Sequence, residues 1–323
     1  MKLAFLILFG LLLLFSPVTW AQWHKHTFEV MGTEAKVELW EPDEVKGKEL
    51  VNAVVDEMER INQLMSPYIE TSELYKINDS AADKSVTISR ELFQLLQKSI
   101  DFSLKTQGAF DITFASVGYQ YDYRNSVAPS DDFIKQSTPL INFKSIQLDA
   151  RTSSVKFSVE GTRIDLGGIA KGHAVDSCIE ILKKAGIKNA FVKAGGDSRL
   201  IGDKRGRLWT IGIQHPRKED AVLTQVPLEN VAISTSGDYE RFFIRDGERI
   251  HHIIDPKTGR SSRESISVSI IAENSTTADA LSTSVFIMGF EKGLAMINEL
   301  KDVSAIIIDN QGKFHYSDDL SER

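Results

Sequence analysis

Asp165-Leu166-Gly167-Gly168-Ile169-Ala170-Lys171-Gly172 is a glycine-rich turn that runs into a helical pattern. Glycines in such a run let backbone N–H groups approach an anion closely; they serve a tight strand-to-helix turn with glycine at positive φ equally well. The run is neither a P-loop nor the G-x-G-x-x-G of a dinucleotide-binding βαβ unit. Its surroundings do not alternate strand and helix regularly either. Amphipathic spacing predicts helices over 48–65, with Leu50, Val54, Met58 and Ile61 on one face, and over 89–105, with Ser89 as N-cap. Further helices are expected after the glycine run and over 277–288. Strand patterns fall at Ala35-Val37-Leu39, 154–159, Trp209 to Ile213 and Ile266-Val268-Ile270. Strands outnumber helices and the order is irregular, so a doubly wound parallel sheet is disfavoured and an α+β fold is expected. The stretch 114–142, rich in Tyr, Asp, Ser and Pro, reads as a surface excursion lying over a site.

The chain has 323 residues and a formal net charge of −7. Residues 1–21 read as a cleaved signal peptide: Lys2 gives the positive n-region, an apolar run follows, and Pro17 precedes Thr19-Trp20-Ala21. An uncleaved inner-membrane anchor is the lesser reading, because the apolar run is short for a span. Residues 22–323 are expected to form one domain, exported and soluble in the periplasm. No Lys/Arg block or basic stripe appears, which disfavours nucleic acid as a partner. Cys178 is the only cysteine, so no internal disulfide can form. Its helical spacing with Val175, Ile179 and Leu182 marks it as a small buried apolar residue.

Three more segments join glycines or histidines to charged and hydroxyl residues: Lys193-Ala194-Gly195-Gly196-Asp197, Thr235-Ser236-Gly237-Asp238-Tyr239 and His251-His252-Ile253-Ile254-Asp255-Pro256-Lys257-Thr258-Gly259. Each alone is compatible with an ordinary turn. In Thr277-Ala278-Asp279-Ala280-Leu281-Ser282-Thr283, a helix start would project Asp279 and Thr283 from one face, where a carboxylate and a hydroxyl can share a hard cation such as Mg²⁺. Helix capping explains the same residue types.

Taken in order, these segments resemble the ApbE family of FAD:protein FMN transferases. The resemblance runs through Met31-Gly32-Thr33, Met65-Ser66-Pro67-Tyr68, Ser72-Glu73-Leu74, Gly108-Ala109-Phe110-Asp111, the 165–172 run, Ala194-Gly195-Gly196-Asp197, 234–238, 252–258 and 278–283. It implies mixed, largely antiparallel strands forming a barrel-like core flanked by helices, with FAD in a cleft and Mg²⁺ at its diphosphate. The metal ligands implied are Asp279, Thr283 and the carbonyl of Ala170. FAD contacts fall on Met31, Tyr68, Ala109, Phe110, Asp111, Gly167, Lys171 and Ile254, and the catalytic role on His252. The reaction implied is attack of a Ser/Thr hydroxyl of an acceptor protein on the FMN phosphorus, with AMP leaving. Lys171 and Mg²⁺ would neutralise charge, and His252, oriented by Asp255, would act as base.

The sequence departs from the family pattern at Ile112, Lys193 and His173, and His173 is read as either an FAD contact or a satisfied helix residue, the second preferred. Acceptors implied by the resemblance are subunits of membrane redox complexes or exported flavin reductases, which would bring the protein near the inner membrane. Competing readings are an FAD pyrophosphatase, with water as nucleophile, and a non-catalytic periplasmic flavin carrier. A zinc hydrolase using His251, His252 and Asp255 lacks a recognised ligand spacing.

Overall fold

The computed structural model describes residues 22–218 and 221–321, so the expected signal peptide at 1–21 lies outside the described residues. An eight-stranded sheet runs through the molecule: β1 (Gln22–Val30), β2 (Thr33–Glu41), β3 (Ala190–Ala194), β4 (Asp197–Ile201), β5 (Ala232–Gly237), β6 (Ser265–Ala272), β7 (Ser304–Asp309) and β8 (Phe314–Tyr316). Spatial order follows chain order and every neighbouring pair is antiparallel. The expected α+β class therefore holds. The sheet remains open, with β1 and β8 as edges. Segments between strands form covering helices, and among the described residues no ladder joins the two ends.

Those helices form a layer in the same order as the strands. α1 (Glu44–Met65) packs on β1 and β2, α3 (Ala170–Lys184) on β3 and β4, α4 (Ser275–Met288) on β5 and β6, and α5 (Phe290–Asn298) on β7. α2 (Arg90–Lys105) joins the layer beside α4. Val54, Met58 and Ile61 of α1 are buried, as the spacing predicts, against Val37 and Leu39 of β2 in one contiguous core. α1 begins four residues earlier than expected because Asp43 caps it, accepting from Lys46 N at 3.0 Å. Ser89 caps α2 as predicted. Cys178 is buried on α3, and burial pushes its thiol up. Among the described residues, no helix is long and apolar enough to cross a membrane.

The 114–142 excursion has structure of its own, with short helices at Ala115–Gly118 and Asp131–Ser137. Its tyrosines reach the 251–260 segment: Tyr121 Oη donates to the Gly259 carbonyl at 3.0 Å and Tyr123 Oη to that of His251 at 3.4 Å. The excursion thus lies against the segment that carries His252.

Candidate functional site

Two glycines assemble the floor of the site. A Cβ on Gly172 would lie 2.4 Å from the Ser275 carbonyl oxygen, so only glycine lets α3 approach α4 this closely. The approach lets Gly172 N–H donate to the Asp279 carboxylate at 3.0 Å. Two residues before Ala170, Gly168 sits against Thr283, whose Oγ1 would lie 3.1 Å from an added Cβ, and against the ring of Phe110. The glycine run is thus a turn shaped to fit the one face of α4 that presents Asp279 and Thr283.

The start of α4 is held twice. Asn274 caps it, accepting from Thr277 N at 2.9 Å. Asp176, from α3, accepts from Ser275 N at 2.9 Å and from Thr276 N and Oγ1 at 2.8 and 2.6 Å. α4 therefore starts at Ser275, before the expected Thr277, and Asp176 is a residue that sequence reasoning missed. Its only sequence signal is an acid inside an otherwise amphipathic helix.

Behind this wall lies a buried polar chain. Lys171 Nζ is 2.5 Å from Asp197 and 3.8 Å from Asp279. Asp197 comes from the tight β3–β4 hairpin, in which Gly195 has φ +59°. It also accepts from Ser234 Oγ, which lies 3.4 Å from Ser282 Oγ. Ser282 Oγ is 2.8 Å from Ser236 Oγ, and that hydroxyl is 3.4 Å from Thr283 Oγ1. Burial and then Asp197 push the Asp279 carboxyl up to about 7. Burial alone would lower the Lys171 ammonium, but Asp197 and Asp279 outweigh it and raise it. Two buried acids share one ammonium, which leaves the cluster short of positive charge. The oxygen donors are hard and the missing charge is positive, so the residues fit a Mg²⁺ ion held by Asp279, Thr283 and a main-chain oxygen of the turn.

The two histidines divide sharply. His251 is buried, with Nε2 2.7 Å from the Ser262 carbonyl and Nδ1 accepting from Ile253 N at 3.3 Å, so both ring nitrogens are engaged. His252 Nδ1 is buried without a partner. Burial, then the charge of Arg241, lowers His252 to about 3, so it is neutral near pH 7. Asp255 does not orient it: its carboxylate accepts from Lys257 N at 2.9 Å and Thr258 Oγ1 at 3.4 Å, closing its own turn. The zinc arrangement of His251, His252 and Asp255 is not assembled.

The remaining expected residues fall into three groups. Met31 lies at the β1–β2 hairpin tip with φ 52°, beside Arg241, whose Nη2 donates to the Gly32 carbonyl at 2.9 Å. Tyr68 is 88% exposed and stands within electrostatic reach of Asp165 and Arg241, which places it on the rim. Gly167 donates to Asp165 Oδ1 at 2.6 Å and shapes the turn itself. Ala109, Phe110, Asp111 and Ile254 are buried. The Asp111 carboxylate accepts from Thr113 N and Oγ1 and from Phe143 N at 2.9 Å, so it braces the adjoining loop rather than offering a free oxygen to a ligand. His173 lies 2.9 Å from Glu91 of α2, the satisfied helix residue that was expected.

A glycine turn on a helix start, a buried acid–hydroxyl face and a neutral histidine thus meet in one α+β fold. The ApbE family matches residues 31–307, and the chain belongs to that family. An FAD:protein FMN transferase of Treponema pallidum (strain Nichols) is 32% identical over 282 residues, covering 80% of this chain and 77% of its own. The FAD:protein FMN transferase of Vibrio cholerae is 30% identical over 287 residues, covering 86% and 85%. Among solved structures, the ApbE protein of Thermotoga maritima superposes with TM-score 0.85 at 34% identity, over 93% of this chain and 99% of its own. The flavin transferase ApbE from Vibrio cholerae superposes with TM-score 0.82 at 26% identity, over 94% and 99%.

Proposed function

We propose that this chain is a Mg²⁺-dependent flavin transferase of the periplasm: it takes FAD, attaches FMN to a Ser/Thr hydroxyl of an exported or membrane redox protein, and releases AMP. The observation that carries this reading is the Asp279–Thr283 face set against the glycine turn, with Lys171 at its back and unpartnered His252 nearby. The signal-peptide reading of 1–21 supports export. Mg²⁺ bound at Asp279, Thr283 and the turn would neutralise the diphosphate and its leaving oxygen. Lys171 pairs with Asp197 and lies 3.8 Å from Asp279, and a bound Mg²⁺ would draw the Asp279 carboxyl into its ionised form. The acceptor oxygen forms its bond to the FMN phosphorus as the bond from that phosphorus to the AMP oxygen breaks. The acceptor proton passes to the neutral imidazole of His252, which its environment keeps unprotonated. Phe110 packs behind the glycine turn, and Tyr68 stands at the rim where a flavin ring can stack.

The test incubates residues 22–323 with FAD, Mg²⁺ and an exported flavin reductase as acceptor, followed by in-gel flavin fluorescence and intact mass. A fluorescent acceptor heavier by one FMN supports transfer. Free FMN and AMP without labelling would select the pyrophosphatase, and FAD bound but unchanged would leave only a carrier.

A further inference from the structure

Arg241 was not among the residues read from the sequence, yet the segments expected to hold FAD converge on it. Its Nη2 donates to the Gly32 carbonyl at 2.9 Å, fastening the hairpin tip that carries Met31. Its main-chain carbonyl accepts from His252 N at 3.1 Å, so the two residues face each other at the open end of one small hairpin. Its charge is felt at Tyr68 on the rim, at Asp165 in the glycine turn, at Lys171 and at His252.

Of the other cations near this space, Arg124 is felt at Tyr68 but is not among the charges felt at Asp165, Lys171 or His252. Lys171 is paired with Asp197 and Asp279, and Arg217 holds Asp238 through two bonds of 2.6 and 2.7 Å. Arg249 lies 3.9 Å from the same Asp238 and over the ring of Phe242. Among the described residues, Arg241 has no carboxylate within ion-pair distance. Asp165 is within electrostatic reach, with its Oδ1 accepting from Gly167 N. Arg241 is exposed, and the one bond to Gly32 leaves most of its five N–H donors available. A planar guanidinium with free donors suits a phosphate group better than a point charge does.

We propose that Arg241 is a phosphate-binding residue: its guanidinium takes the diphosphate of the dinucleotide substrate, a charge that Lys171, paired with Asp197 and Asp279, does not supply, and its bond to Gly32 ties that contact to the Met31 hairpin tip. The inference rests on the FAD reading above and deepens it. The position follows from the chemistry: a phosphorus whose incoming hydroxyl gives its proton to His252 lies beside that ring, where the Arg241 charge is felt.

The experiment compares binding of FAD and of riboflavin, which carries the flavin without phosphate, to wild type, Arg241→Gln and Arg241→Lys. Flavin fluorescence is read with Mg²⁺ present at low and high salt, and thermal unfolding checks that each variant is folded. The proposal predicts that Arg241→Gln weakens FAD by about tenfold or more while riboflavin stays within about twofold, because one charge-assisted contact is lost. Arg241→Lys, which keeps the charge, should recover most of the FAD affinity, and the salt dependence of FAD binding should flatten only in the Gln variant. Equal weakening of FAD and riboflavin would reduce Arg241 to a hairpin brace and overturn the proposal, as would unchanged FAD binding. Wild type that fails to bind FAD overturns the transferase reading itself.

Discussion

The wall made by α3, α4 and the glycine turn and the rim made by the 31–32 tip, Tyr68 and Arg241 face the same space, yet they are held by opposite means. In the wall, Asp279 receives Gly172 N–H, Asp176 fixes the start of α4, and Asp197, Ser234, Ser282 and Ser236 link up behind Thr283. In the rim, a single side-chain bond from Arg241 to Gly32 holds the hairpin tip, and the tyrosine is 88% exposed. Such a wall is preorganised, as electrostatic stabilisation of phosphoryl transfer requires. Such a rim can rearrange around a ligand and leaves room for a second macromolecule to deliver its hydroxyl. On the transferase reading proposed above, the wall carries the chemistry and the rim the choice of nucleophile.

Substitutions in the wall should therefore do most to activity. Asp279→Ala should lower flavin transfer by about a thousandfold or more, measured as labelled acceptor per minute, because it removes a charge that acts on the transition state. A loss under about tenfold would break the assignment. Gly172→Ala comes next. Its Cβ would press on the Ser275 carbonyl at 2.4 Å and on the Asp279 Cβ at 2.9 Å. Separating α3 from α4 should cost about 1–3 kcal/mol in denaturant unfolding and lower activity with it. Tyr68→Ala should leave stability within about 0.5 kcal/mol, since an exposed side chain is lost, while raising the KM for FAD and the share of free FMN. Unfolding of that variant at lower denaturant would show that the rim is structural after all.

Proton linkage sharpens the same contrast. Asp279 has its carboxyl raised from 3.8 to about 7, so metal-free protein should lose stability as pH rises through that window, where the unfolded chain releases a proton the folded one keeps. Mg²⁺ needs the ionised form, so the rise in Tm on adding Mg²⁺ should be larger at pH 8 than at pH 6. His252 is lowered from 6.5 to about 3, so it contributes the opposite slope: stability falls as pH drops below 6.5 and the unfolded chain gains a proton first. His252→Asn should flatten that acid limb in thermal unfolding scans at pH 4–6.

Much of this arrangement was legible because it depends on spacing within one segment. The α1 face of Val54, Met58 and Ile61, the Ser89 cap and the pairing of Asp279 with Thr283 across one helical turn all follow from periodicity. The glycine run was ambiguous by itself, because a tight turn and a ligand cradle need the same residues. What it packs on resolved it, and that is a contact between α3 and α4 separated by about a hundred residues. For the same reason Asp176 and Arg241 were missed: the first caps a helix 99 residues away and the second holds a hairpin tip 209 residues away. Asp255 was misread in the other direction. Its nearness to His252 in sequence suggested contact, but an aspartate two residues before a backbone N–H closes an Asx turn locally. The order in which the eight strands pair was equally invisible, since it depends on which edges meet.

The account stands or falls on the wall as a cation seat. Calorimetric titration of Mg²⁺ into metal-free residues 22–323 with FAD bound, in wild type and Asp279→Asn, tests this directly. The account predicts one Mg²⁺ per chain in the wild type and no measurable binding in the variant. Equal binding in both proteins would contradict it.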